Sequence, residues 1–171
     1  MQRHRISRMN APVTPDKPTV YVETSVISYL TNRPSRDAIV LGRQLLTRQW
    51  WDERRSNYHL LVSDFVVDEV SDGHPEAVAR RLEALHAMQF IDNKAPEIEA
   101  LANTLIKEKA LPGNAKLDAL HIATCAYHAV SYLASWNFSH IVNAQQLGKI
   151  EDICRANGYP ASRLVTLDQL I

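Results

Sequence analysis

The chain has 171 residues, enough for one domain whose core needs no disulfide staples. Lys plus Arg balances Asp plus Glu at 19 each, which argues against a protein held on nucleic acid by bulk charge. An enzyme that meets a polyanion through a local basic patch and a bound cation remains compatible with that balance. No apolar run approaches the roughly 20 residues of a membrane span. Met1 to Pro18 carries basic residues with no apolar stretch behind them, against a secretory signal. The expectation is a cytoplasmic protein without membrane contact, with Cys125 and Cys154 as reduced thiols.

Residues 1–18 contain Pro12, Pro15 and Pro18 and little apolar content, which predicts a loose tail ahead of one domain over 19–171. Thr19 to Val22 reads as a short buried strand, followed by Glu23-Thr24-Ser25 and an apolar helical segment from Val26 to Leu30. Asn32-Arg33-Pro34-Ser35 ends it, with Ser35 or Asn32 available as a cap for a long helix from about Arg36 to Ser56. Ile39, Leu45, Leu46 and Trp50 carry the helical spacing there. Tyr58 to Val62 is a second strand, and Ser63-Asp64 caps a helix through Val70. After Asp72-Gly73-His74-Pro75 come a helix over 76–88, a short strand at Phe90-Ile91 and a helix over 96–110. Leu111 to Asn114 turns into a helix over 115–130, then a strand over 131–134, a helix over 143–156, a strand at Leu164-Val165 and a helical end. Short apolar strands alternating with helices predict a mostly parallel sheet covered on both faces.

In such sheets ligands sit beyond the carboxyl ends of the strands. Glu23 directly follows the first strand. Glu69 lies about two turns into the helix after the second, roughly 9 Å along its axis. Asp118 lies in the first turn of a helix that runs back along the sheet, and Asn137 comes just past the next strand. Four oxygen-bearing side chains thus converge on one rim. Converging carboxylates repel unless a cation sits among them, and oxygen ligands favour Mg²⁺ or Mn²⁺ over zinc or copper. Thr24 and Ser25 stand ready to hydrogen-bond a ligand carboxylate or a phosphate.

Each residue has a plainer alternative. Glu23 also suits a helix start, where an acid complements the macrodipole. Glu69 competes with Asp68 for the inward position, and Asn137 suits a turn. Asp118 is harder to set aside, because Leu117, Leu120, Ile122, Ala123, Cys125 and Ala126 make its helix apolar most of the way round.

These segments together resemble the PIN domain, and within it the VapC-type toxins of toxin–antitoxin pairs. The resemblance rests on Tyr21-Val22-Glu23-Thr24-Ser25-Val26-Ile27, Ser63 through Asp68-Glu69-Val70, Leu117-Asp118-Ala119-Leu120-His121-Ile122-Ala123 and Leu133-Ala134-Ser135-Trp136-Asn137-Phe138. It implies a three-layer α/β/α sandwich and a Mg²⁺- or Mn²⁺-dependent endoribonuclease. Glu23, Glu69 and Asp118 would be its metal ligands, and Asn137 would support them with Ser135 nearby. It also implies an RNA substrate, a cognate antitoxin and a homodimer. Two positions depart from the pattern: Glu23 stands where Asp is usual, and Asn137 where an acid is common. On that account a PIN-like module that binds RNA or a protein without cleavage is the alternative.

Arg33 and Arg36 follow the first motif and are the candidate phosphate contacts; the arginines beyond them read more simply as a solvated helix face with ion pairs. Trp50-Trp51 offers more apolar surface than one helix face easily hides, for a protein contact or for the core. His121, Cys125 and His128 share a helix face with Asp118, a spacing that also suits zinc. One straight helix, however, usually supplies only a pair of ligands.

Overall fold

A computed structural model of the protein describes residues 17–171. Most of the expected tail, residues 1–16, lies outside the described residues. Five strands form one sheet: β1 (Thr19–Val22), β2 (His59–Val62), β3 (Gln89–Phe90), β4 (Tyr132–Ala134) and β5 (Arg163–Val165). Their order is β3-β2-β1-β4-β5, and every pairing is parallel, so the sheet is fully rather than mostly parallel.

The connections are α1 (Thr24–Thr31) and α2 (Ala38–Glu53) before β2, then α3 (Asp64–Val70) and α4 (Pro75–Leu85) before β3. α5 (Pro96–Lys107) and α6 (Lys116–Tyr127) precede β4, and α7 (Leu147–Ala156) precedes β5. Crossovers between parallel strands are right-handed. The chain moves one way along the sheet from β1 to β3 and the other way from β4 to β5, so its helices fall on opposite faces. Packing agrees: α1 contacts α2, α3 and α4, while α5 contacts α6 and α7. The strands are covered on both sides, with Val20, Tyr21, Val22, Leu61, Val62, Leu133 and Ala134 all buried. Strand order reverses between β1 and β4, which opens a crevice at their carboxyl ends.

Local chemistry moved several expected boundaries. Neither Ser35 nor Asn32 caps α2. Asp37 does, accepting from the amides of Ile39 and Val40 (2.9 Å each), while Ser35 Oγ accepts from the Asp37 amide. Ser63 holds the N-cap position of α3, yet its hydroxyl is spent on Tyr21 instead of the helix. The expected helix over 36–56 stops at Glu53 and continues as a single 3-10 turn over Arg55–Asn57. Residues 143–146 precede α7 without joining it, and the chain ends in a 3-10 turn, Leu167–Leu170. Trp50 and Trp51 are 2% and 9% exposed, so both belong to the core. Trp50 stacks on Tyr58 and Trp51 lies beneath the Arg55 guanidinium, two different partners for neighbouring positions. The apolar surface left open on α2 is instead Ile39 and Leu45, 67% and 55% exposed. Among the described residues no helix is long and apolar enough to cross a membrane.

Candidate metal centre at the strand switch point

The crevice between β1 and β4 is closed at its base by backbone hydrogen bonds from Glu23 N to Ala134 O (3.1 Å) and from Ser135 N to Val165 O (3.0 Å). This ladder brings Glu23 and Ser135 side by side. Glu23 is the N-cap of α1, and its Oε2 accepts from the Ser25 amide (3.1 Å), the Ser25 hydroxyl and the Ser135 hydroxyl (2.8 Å). Ser25 Oγ in turn accepts from the Trp136 amide, and Ser135 Oγ from the Asn137 amide. The helix-start reading of Glu23 holds, since its side chain caps α1. At 5% exposure it is a buried carboxylate. Burial pushes its carboxyl above the usual range, and the nearby His121 and the two serines only partly offset that.

Glu69 reaches the same crevice from α3, while its neighbour Asp68 faces solvent. Its Oε2 accepts from Thr24 Oγ1 (2.5 Å) and bonds His121 Nε2 (3.0 Å). Burial raises the Glu69 carboxyl, but hydrogen bonds from His121 and Thr24 outweigh it and hold the group below its ordinary value. His121 is fully buried on α6, and its Nδ1 bonds Tyr21 Oη (2.7 Å), which bonds Ser63 Oγ (2.7 Å). One proton assignment satisfies the whole chain: Ser63 donates to Tyr21, Tyr21 to Nδ1, and Nε2–H to Glu69. His121 thus orients Glu69, and burial keeps the Tyr21 phenol protonated well past its usual range.

Potential ligand atoms of Glu23, Glu69 and His121 all lie within 4.8 Å of one another. Both carboxylates are gripped through Oε2, and no hydrogen bond among the described residues takes either Oε1. Two anchored carboxylates each keeping one oxygen open suit a hard cation that takes one or two carboxylates and completes its sphere with water. The donor set fits Mg²⁺ or Mn²⁺.

Asp118 stands apart from that trio. It lies one turn before His121 on α6, and both its oxygens are engaged: Oδ1 by Asn137 Nδ2 (3.0 Å) and Oδ2 by His140 Nδ1 (2.7 Å). Asn137 Oδ1 accepts from the His140 amide (3.2 Å). His140 was invisible to sequence reasoning, because it sits in an irregular segment without periodicity. Thr24, Ser25 and Ser135 all touch the carboxylates, as described. Arg33 and Arg36 do not; both are exposed, on a loop pinned by Gln44, which donates to Arg33 O (3.0 Å) and accepts from Ser35 N (2.8 Å). Arg43, one residue before Gln44, lies over the Phe138 ring at 4.3 Å, so this loop neighbours the segment that holds Asn137.

The zinc alternative disperses. His121 serves Glu69, and His128 Nε2 bonds the Asp92 carbonyl. Cys125 is a buried free thiol whose ionisation burial strongly opposes.

No family model matches the chain, and no curated protein matches it in sequence. Solved structures do resemble it. The crystal structure of Mycobacterium tuberculosis VapC20, a Sarcin-Ricin loop cleaving toxin, is 16% identical with a TM-score of 0.53, covering 82% of this chain and 96% of that one. The crystal structure of VapBC2 from Rickettsia felis, bound to a DNA fragment from their promoter, is 16% identical with a TM-score of 0.50, covering 86% and 98%. The chain has the PIN-like α/β fold of these toxin structures.

Proposed function

We propose that the protein is a metal-dependent endoribonuclease that hydrolyses RNA phosphodiesters, acting as the toxin of a toxin–antitoxin pair. The observation that carries this reading is the pairing of Glu23 and Glu69, each anchored through one oxygen and open at the other, at the strand switch point. Mg²⁺ or Mn²⁺ would be held by Glu23 and Glu69, with Asp118 adding negative charge beside them, and when bound would supply an activated water and charge compensation for the leaving oxygen. The chain's own part is positional. Ser25 and Ser135 fix Glu23, Thr24 and His121 fix Glu69, and Asn137 and His140 hold Asp118. The likeness to VapC20 supports RNA cleavage, and the likeness to VapBC2 supports a cognate antitoxin. Exposed Ile39 and Leu45 offer apolar surface for that antitoxin or for a homodimer.

The test is cleavage of single-stranded RNA with Mn²⁺ against the same reaction with chelator. Wild type should cut only with metal, and Asp118→Asn should cut poorly and bind Mn²⁺ more weakly. Indistinguishable Mn²⁺ heats from the two proteins, with no metal-dependent products, would leave a non-cutting binding module. Arg33 and Arg36 are the proposed phosphate contacts, since neither makes an ion pair among the described residues. Replacing both with Ala should weaken RNA binding and flatten its log–log salt slope by about 1.4, at ~0.7 per phosphate on single strands. An unchanged slope removes them from the interface.

A further inference from the structure

Beside His140 the surface carries a broad, open cleft of about 580 Å³. Its apolar lining is Ile106, Leu111 and Pro112; Lys109, Ser139 and His140 supply polar groups. His140 links the cleft to the carboxylate rim, because the same ring bonds Asp118. Both neighbours of the Gln146 amide are acceptors, so its nitrogen donates to the carbonyls of Ala110 and His140 (3.3 Å each) and ties the two walls together.

Lys109 occupies an unfavourable backbone position. α5 ends in a Schellman motif, with Ala110 N bonded to Leu105 O (2.9 Å) and Lys109 N to Ile106 O (2.9 Å). That places Lys109 at φ 58, where glycine is the favoured residue because a Cβ is penalised. The motif's backbone bonds hold this conformation, while the ammonium makes no ion pair or hydrogen bond among the described residues. Ala129 sits in the same motif after α6 at φ 51, but it is not among the residues of this cleft and serves as an internal control.

We infer that this cleft is a nucleotide subsite, which takes the base and ribose of the RNA residue adjoining the phosphodiester at the carboxylate rim. The inference rests on the ribonuclease reading and extends it. The base lies on Ile106 and Pro112, over the buried Leu111, and Lys109 holds the neighbouring phosphate. A backbone position that would be more stable as glycine then carries lysine for the sake of the ligand.

The test uses the full chain with a fluorescein-labelled single-stranded RNA oligonucleotide. Binding is followed by anisotropy in chelator, and cleavage separately in Mn²⁺. Lys109→Gly and Ala129→Gly should both raise the melting temperature, by about 1–3 °C. Only Lys109→Gly should weaken RNA binding, about tenfold, and lower the salt slope by about 0.7. Gly113 also lines the cleft and has open space for a side chain, so Gly113→Leu adds bulk at its wall and should weaken binding about tenfold with the melting temperature unchanged. If wild type cuts with Mn²⁺ while Lys109→Gly and Gly113→Leu bind RNA as tightly as Ala129→Gly, the inference is overturned. If wild type does not cut, yet those two variants lose RNA, the subsite stands and the nuclease reading falls.

Discussion

Glu23→Gln is expected to abolish Mn²⁺ binding and to lower RNA cleavage by about 10³-fold, while making the metal-free protein more resistant to heat. The amide keeps an oxygen for the Ser25 and Ser135 donors, so the cap of α1 survives. What disappears is a buried negative charge. Burial raises the folded-state value of Glu23 above its unfolded value. A group of that kind contributes stability that is fully present below the ordinary carboxylate value and lost as pH rises through the raised one. Wild type therefore loses that stability above the raised value and the Gln variant does not. Glu69 has the opposite sign: its lowered value gives stability above the ordinary range, lost as pH falls through the lowered one. Below the raised value metal capture must displace a proton from Glu23, so Mn²⁺ affinity should rise with pH until that value is passed. Calorimetric titration in buffers of different ionisation heat measures the released proton. A Gln variant that loses heat resistance as well as metal would show that the charge is structural.

The second large effect belongs to His121→Ala. The fully buried ring satisfies Tyr21 on one side and Glu69 on the other, and alanine leaves both without their partner beside a cavity. The expected loss is about 3 kcal/mol, near 10 °C in melting temperature. Mn²⁺ affinity should fall a further 10- to 100-fold, about what removal of an orienting partner of a metal ligand costs. Tyr21→Phe deletes only the hydroxyl and should cost less while keeping the Nε2 contact to Glu69. Denaturant unfolding with matched slopes separates the two. A His121→Ala protein within about 0.5 kcal/mol of wild type would mean the chain of hydrogen bonds contributes little.

How much of this was legible beforehand depends on the range of the interaction that decides each feature. Val20 to Val22 and Leu60 to Val62 announce buried strands by local composition, and the residue after each strand is set by the chain itself, so Glu23 could be found without coordinates. Asp118 was legible as a polar group on a helix buried most of the way round. Its partners were not: Asn137 Nδ2 and His140 Nδ1 come from an irregular segment 19 and 22 residues away. His121 could be seen as a packed histidine, but its pairing with Glu69 spans 52 residues and depends on how α3 enters the crevice. The Trp50-Trp51 pair shows the same limit. Adjacent helical positions point about 100° apart, and only the tertiary structure supplies separate cover, Tyr58 for one and Arg55 for the other. Ser63 capped nothing with its side chain because a distant tyrosine claimed its hydroxyl.

A crystal of the wild-type protein soaked in Mn²⁺ tests the central claim most directly, through the anomalous signal of the ion. The predicted result is one peak between Glu23 and Glu69, with the Oε1 atom of each at about 2.0–2.3 Å and water completing the sphere. A map with no peak there at saturating Mn²⁺, with both carboxylates still anchored to their serine, threonine and histidine partners, would contradict it.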